Sequence, residues 1–122
     1  MLNLNKYVRE LGYNEESFPF KKENKDYYVN KDGFINAEFY DLSHTFALTI
    51  YSHLCYFKEY TQKFGYPAQA GSMEKWLEIL DRMIEAFKLI LTVDTYDLSK
   101  KQIKKIRFGL RMFTKYYFDL WT

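Results

Sequence analysis

The sequence predicts a mainly α protein: a small bundle of three principal helices, with a short N-terminal helix and a minor β-hairpin. Three observations predict it. Apolar residues recur at steps of three and four over 42–57, 73–91 and 103–120. A capping residue stands before each stretch, namely Asp41, Ser72 and Ser99. Asp32-Gly33 lies between β-prone residues, which is a hairpin signal. With 122 residues, the chain is expected to form a single domain.

In chain order, Leu4, Tyr7, Val8 and Leu11 recur at helical spacing, and Gly12 follows as a stop, so a short helix is expected over 4–11. Residues 13–25 have no period, contain Pro19 and are rich in Lys, Glu and Asn. They read as a loop pinned by its three aromatics. Asp26-Tyr27-Tyr28-Val29 and Phe34-Ile35 flank Asn30-Lys31-Asp32-Gly33 and read as the hairpin, which places helix, loop and hairpin within 1–35.

The first principal helix is expected over 41–63, where Leu42, Phe46, Ile50, Leu54 and Phe57 form one stripe before Gly65 and Pro67. Tyr51, Tyr56 and Tyr60 widen that stripe, so this helix is expected to be the most buried. The second covers 73–91, with Met73, Trp76, Leu80, Met83, Phe87 and Leu91 on one broad face. Behind that face lie Glu74, Glu78, Asp81 and Glu85, a carboxylate stripe that reads first as a solvated helix back and second as a partner-facing surface. The third covers 100–121 and opens on the capping box Ser99-x-x-Gln102. Its seam, Ile103, Ile106, Leu110, Phe113, Tyr117 and Leu120, is expected to pack against the other two helices.

On the same helix, Lys104, Arg107, Arg111 and Lys115 fall on one flank, and Phe108 and Met112 lie away from the seam. These six are the candidate partner-binding residues. Phe108 and Met112 are either covered by a second layer or left as an apolar patch open to a partner. Gly109 in mid-helix costs roughly 1 kcal/mol against Ala, which points to a close backbone approach.

Composition limits the functional classes. The chain carries 12 Tyr and 11 Phe, and each aromatic can bury roughly 150–250 Å². That exceeds what one small core needs, so some are expected at a contact face. Net charge is only +2, yet residues 95–122 carry seven Lys/Arg against two Asp, while 72–94 carry three basic and five acidic groups. A lone Cys55, a polar N-terminus without the apolar core of a signal peptide, and no membrane-length apolar run lead to the expectation of a cytoplasmic protein.

No motif carries recognisable catalysis or metal binding. His53 and Cys55 are two apart and do not meet on a helix, and His44 and His53 are nine apart and out of phase. Asp41 and His44 read as a cap with a nearby histidine. The five glycines form no phosphate-cradling loop. The expectation is therefore a non-enzymatic protein without metal or cofactor.

Gly65-Tyr66-Pro67, Trp76 with Leu80, Met83 and Phe87, then Gly109-Leu110, Phe113, Tyr117 and Leu120-Trp121 form a pattern running from about Gly33 to Trp121. It resembles a family of small uncharacterised bacteriophage and prophage proteins. Tyr40-Asp41-Leu42-Ser43 departs from that family, which more often has a Trp and a second acidic residue there. The resemblance implies fold and origin, with a bacterial host cell as the setting, and transfers no ligand residue.

The leading expectation is a phage-type accessory protein that binds a host or defence-system protein stoichiometrically, as an inhibitor or anti-defence factor. One alternative is a nucleotide or nucleic-acid binding module using the basic flank of the last helix. Another is a particle-associated structural protein that self-assembles as a homo-oligomer through its acidic and basic stripes.

Overall fold

The computed structural model describes residues 2–21 and 25–121. Of the loop expected over 13–25, residues 22–24 lie outside the described residues, as do Met1 and Thr122. Among the described residues, four α-helices account for just over half: α1 (Lys6–Glu10), α2 (Leu42–Phe64), α3 (Met73–Thr92) and α4 (Lys100–Lys115). The chain divides into two compact units, one ending at Ser52 and one beginning at His53, so α2 contributes to both.

In the first unit, Asn5 caps α1 by accepting from the Tyr7 and Val8 amides, each at 3.1 Å. Tyr7 and Val8 are buried. The following loop is pinned by its aromatics, as expected. Tyr13 meets Phe20 edge-on, and Phe18 stacks on Tyr40 with 14° between the ring planes.

The hairpin does not form. No strand occurs among the described residues, and only one antiparallel bridge joins Val29 to Ile35. The reversal is real, but Asn30 closes it locally. Its side-chain oxygen accepts from the amides of Asp32 and Phe34, at 2.9 and 3.0 Å. Its own amide donates to the Phe34 carbonyl at 2.7 Å. Short 3-10 turns at Lys25–Tyr27 and Asn36–Phe39 then take the residues that would have extended the ladder. Side-chain hydrogen bonding to the nearby backbone competes with strand pairing and wins here.

In the second unit, α3 supplies the core. Trp76, Leu80, Met83, Ala86 and Phe87 are buried along one face. Ser72 caps α3 through the Lys75 amide at 3.1 Å, and Ser99 with Gln102 forms a full capping box on α4. α4 packs on α3, with Trp76 against Tyr116 and Phe87 against Phe113, both edge-on.

The contact surface of α4 keeps Ile103, Ile106 and Phe113 of the expected seam but not Leu110 and Tyr117. Gly109 is its one buried residue, while Leu110 and Tyr117 are exposed. An added Cβ at Gly109 would overlap the Arg82 carbonyl oxygen and the Ala86 side chain. The close approach expected at this glycine therefore exists, and it turns the helix so that Ile106, Gly109, Phe113 and Tyr116 face inward. The α-helix also stops at Lys115, short of the expected 121, and a 3-10 turn at Tyr117–Asp119 follows.

The α2 stripe is likewise rotated. Leu42 and Phe46 are exposed, as are Tyr56 and Tyr60, whereas Thr45, Ala47, Leu48, Tyr51, Ser52, Leu54 and Thr61 are buried. Thr45, Ala47, Ser52 and Thr61 thus share the buried side with Leu48, Tyr51 and Leu54, the last two kept from the expected stripe.

Candidate functional site

Lys104, Arg107, Arg111 and Lys115 occur at steps of three, four and four along α4, and all four are exposed. At about 100° per residue they point away from Gly109, which fixes the inner side of the helix. None has an ion-pair partner among the described residues; the Lys115 ammonium lies 5.3 Å from the Tyr116 ring centre. Lys105, one position from Lys104, behaves differently. Its ammonium pairs with Glu85 at 3.1 Å, and Arg82 pairs with the other oxygen of the same carboxylate at 3.1 Å. The Lys105 hydrogen bond, followed by that of Arg82, holds the Glu85 carboxyl below its ordinary pKa.

Two shallow hollows adjoin the basic row. One, of about 320 Å³, is walled by Arg82, Glu85, Lys101, Lys104, Lys105 and Phe108. The other, of about 510 Å³, is lined by Arg107, Leu110, Arg111 and Thr114. Phe108 is exposed and Met112 half-buried, so the open apolar surface here is mainly the Phe108 ring. Phe108 belongs to the edge of the basic surface, matched across the row by Leu110.

The expected carboxylate stripe is broken up in the structure. Asp81 pairs with Lys58 of α2 at 2.6 Å, and Glu85 is held by Arg82 and Lys105. Glu74 and Glu78 are exposed, with no ion pair among the described residues. Half of this stripe thus fastens α3 to its neighbours.

A further surface was hidden by its own hydrophobicity. Tyr56, Tyr60 and Phe64 follow one another at steps of four along α2 and are 59%, 39% and 63% exposed. Their rings touch in sequence, with centroids 6.2 Å apart for Tyr56–Tyr60 and 4.4 Å for Tyr60–Phe64. Step-of-four spacing makes them neighbours on one helix face. The signal lay in the surplus of aromatics, but Tyr56 and Tyr60 fit an apolar stripe and read as core, and Phe64 lies just past the expected end of the helix.

Asp41 meets His44 through the backbone of a helix cap. Asp41 caps α2 by accepting from the His44 amide at 3.1 Å and from the Ser43 hydroxyl at 2.9 Å, which lowers the pKa of its carboxyl. The His44 ring lies instead against Tyr13, with Nε2 3.0 Å from the phenol oxygen, and beside Phe18. Burial lowers the His44 pKa, and the Asp41 charge opposes that only in part. No group of three or more His, Cys, Asp or Glu among the described residues is arranged to hold a metal ion. No helix among them is long and apolar enough to cross a membrane.

No protein-family model matches the chain, and neither does any curated protein or solved structure.

Proposed function

We propose that the protein acts stoichiometrically, without catalysis, by binding another protein through the aromatic ladder of α2. The phage-type pattern in the sequence makes a host or defence-system protein in a bacterial cytoplasm the partner of choice, with inhibition as the outcome. The observation that carries this reading is the exposure of Tyr56, Tyr60 and Phe64 as one contiguous row. Three aromatic rings kept in water form a larger apolar surface than scattered exposed residues, and such surfaces mark interaction sites. Tyr offers area at low entropic cost together with a polar rim group, which is why it anchors many interfaces.

The test is affinity capture from bacterial lysates with the wild-type chain and with Tyr56→Ser/Tyr60→Ser/Phe64→Ser. The expected result is a protein retained at one-to-one stoichiometry by the wild type and lost by the variant, with unchanged circular dichroism. Equal retention by the variant, or none by the wild type across several hosts, overturns the reading. Retention of further copies of the same chain alone would replace it with the particle-associated alternative.

A further inference from the structure

We infer that the outer face of α4 binds single-stranded nucleic acid, with phosphates along its basic row and a base on the ring of Phe108. The cations of this face are sorted by direction. Lys105, turned toward α3, is neutralised by Glu85, while Lys104, Arg107, Arg111 and Lys115 point outward with no ion pair among the described residues. The row advances about 4.5–6 Å per step and spans about 16 Å along the helix. That is a linear array of positive charge, suited to a linear polyanion.

Helix stability accounts for Lys115, a cation in the last turn that suits the helix dipole, but not for Lys104, Arg107 and Arg111. Like charges at steps of four repel. The first turn of α4 holds Lys100 and Lys101 and no acidic residue, although the helix dipole favours anions there. The charges therefore persist at some cost to the helix, and an external anion offsets that cost.

Phe108 separates the two macromolecular classes that could supply the anion. It is 41% exposed and walls the smaller hollow together with Lys101 and Lys104. An aromatic ring beside two ammonium groups can stack a base whose phosphates lie on the lysines. An acidic protein surface would use the charges and leave the ring idle. A duplex keeps its bases paired and stacked, so only an unpaired strand presents a base face to Phe108. Contacts of this kind tolerate any sequence.

The experiment is fluorescence anisotropy of a labelled oligothymidylate of about twelve nucleotides, long enough to cover the row at typical single-strand site sizes, titrated across a salt series. With four phosphates neutralised, the logarithm of affinity should fall against that of salt with a slope of about −3, at about −0.7 per contact. Arg107→Gln/Arg111→Gln should flatten the slope by about 1.4. Phe108→Ala should weaken binding about 5- to 150-fold, the equivalent of losing one stacked base, and leave the slope unchanged. Circular dichroism melts establish that each variant is folded. Binding that ignores Phe108→Ala, equal competition by polyglutamate, equal affinity for a duplex, or no binding by the folded wild type at low salt each overturn the inference. Tyr56→Ser/Tyr60→Ser/Phe64→Ser should bind the oligonucleotide as the wild type does, so the two surfaces stand or fall separately.

Discussion

The Trp76 indole N–H donates to the Thr61 hydroxyl oxygen at 3.2 Å, with both residues almost wholly removed from solvent. The Thr61 hydroxyl in turn donates to the Gly65 carbonyl, just beyond the end of α2. One hydroxyl thus joins the C-terminal turn of α2 to the core of α3. This explains why a threonine occupies a buried position between large aromatics: Phe57 also lies edge-on to Trp76.

Thr61→Val keeps the shape and removes the acceptor. The indole N–H then has no partner and no water, and a buried donor left so costs about 1–3 kcal/mol. Urea unfolding followed by circular dichroism should show that loss. In a Trp76→Phe background the same substitution should cost much less, because the donor is already gone. Equal costs in both backgrounds would mean that the hydroxyl acts through something other than Trp76.

Gly109→Ala should destabilise the protein although alanine is the better helix former. The propensity gain is about 1 kcal/mol. Against it stands the overlap of the new Cβ with the Arg82 carbonyl and the Ala86 side chain, neither of which is the far end of a flexible group. Overpacking of this kind costs about 1–3 kcal/mol, so the net sign is a loss. A lowered melting temperature for Gly109→Ala, partly restored by Ala86→Gly, is the expected outcome.

Glu85 takes Lys105 on one carboxylate oxygen and Arg82 on the other. All three side chains are partly exposed, so Glu85→Gln should cost no more than about 1 kcal/mol and less in high salt. The folded carboxyl titrates below its unfolded value. The stabilisation is therefore complete above the unfolded pKa, about 4.3, and disappears as pH falls through the lower folded pKa. Denaturation midpoints of the wild type and Glu85→Gln should converge over that acid range.

How far these features were legible in the sequence depends on whether local chemistry or packing sets them. Asp41, Ser72 and the Ser99–Gln102 box mark helix starts because a cap is a contact among residues two or three apart. The basic row of α4 was legible for the same reason, since its spacing alone places it on one side. The phase of the α3 stripe was legible too, since Trp76, Leu80, Met83 and Phe87 are buried as its spacing predicts, but the phases on α2 and α4 were not. Hydropathy puts Leu110 and Tyr117 inside, but the closest packing of α4 on α3 occurs at a residue with no side chain, and those two rotate outward. On α2, Thr45, Ser52 and Thr61 are buried where their hydroxyls find backbone carbonyls, at Glu38, Thr49 and Gly65. Tyr56, Tyr60 and Phe64 are left in water, and nothing local distinguishes an exposed Tyr from a buried one.

His44 sets the last expected outcome, a loss of stability in mild acid. Its Nε2 lies 3.0 Å from the Tyr13 hydroxyl, and the neutral ring can accept the phenol proton there. Protonation reverses that hydrogen bond, with Nε2–H now donating to the phenol oxygen, and it places a charge in a half-buried site, which burial disfavours. Burial lowers the folded pKa below the ordinary value of about 6.5. The unfolded chain therefore binds the proton first as pH falls. Stability is complete above pH about 6.5 and declines as pH drops toward the folded pKa, below which no further loss comes from this group. The Asp41 carboxyl is held down by the His44 amide and the Ser43 hydroxyl, so its own contribution falls only below the unfolded aspartate value of about 3.9, outside the pH range of the check. The check is the urea midpoint of the wild type and of His44→Gln between pH 8 and about 5. The wild type should lose stability across that range and the variant should stay flat, while a parallel decline in both would assign the acid sensitivity to another group.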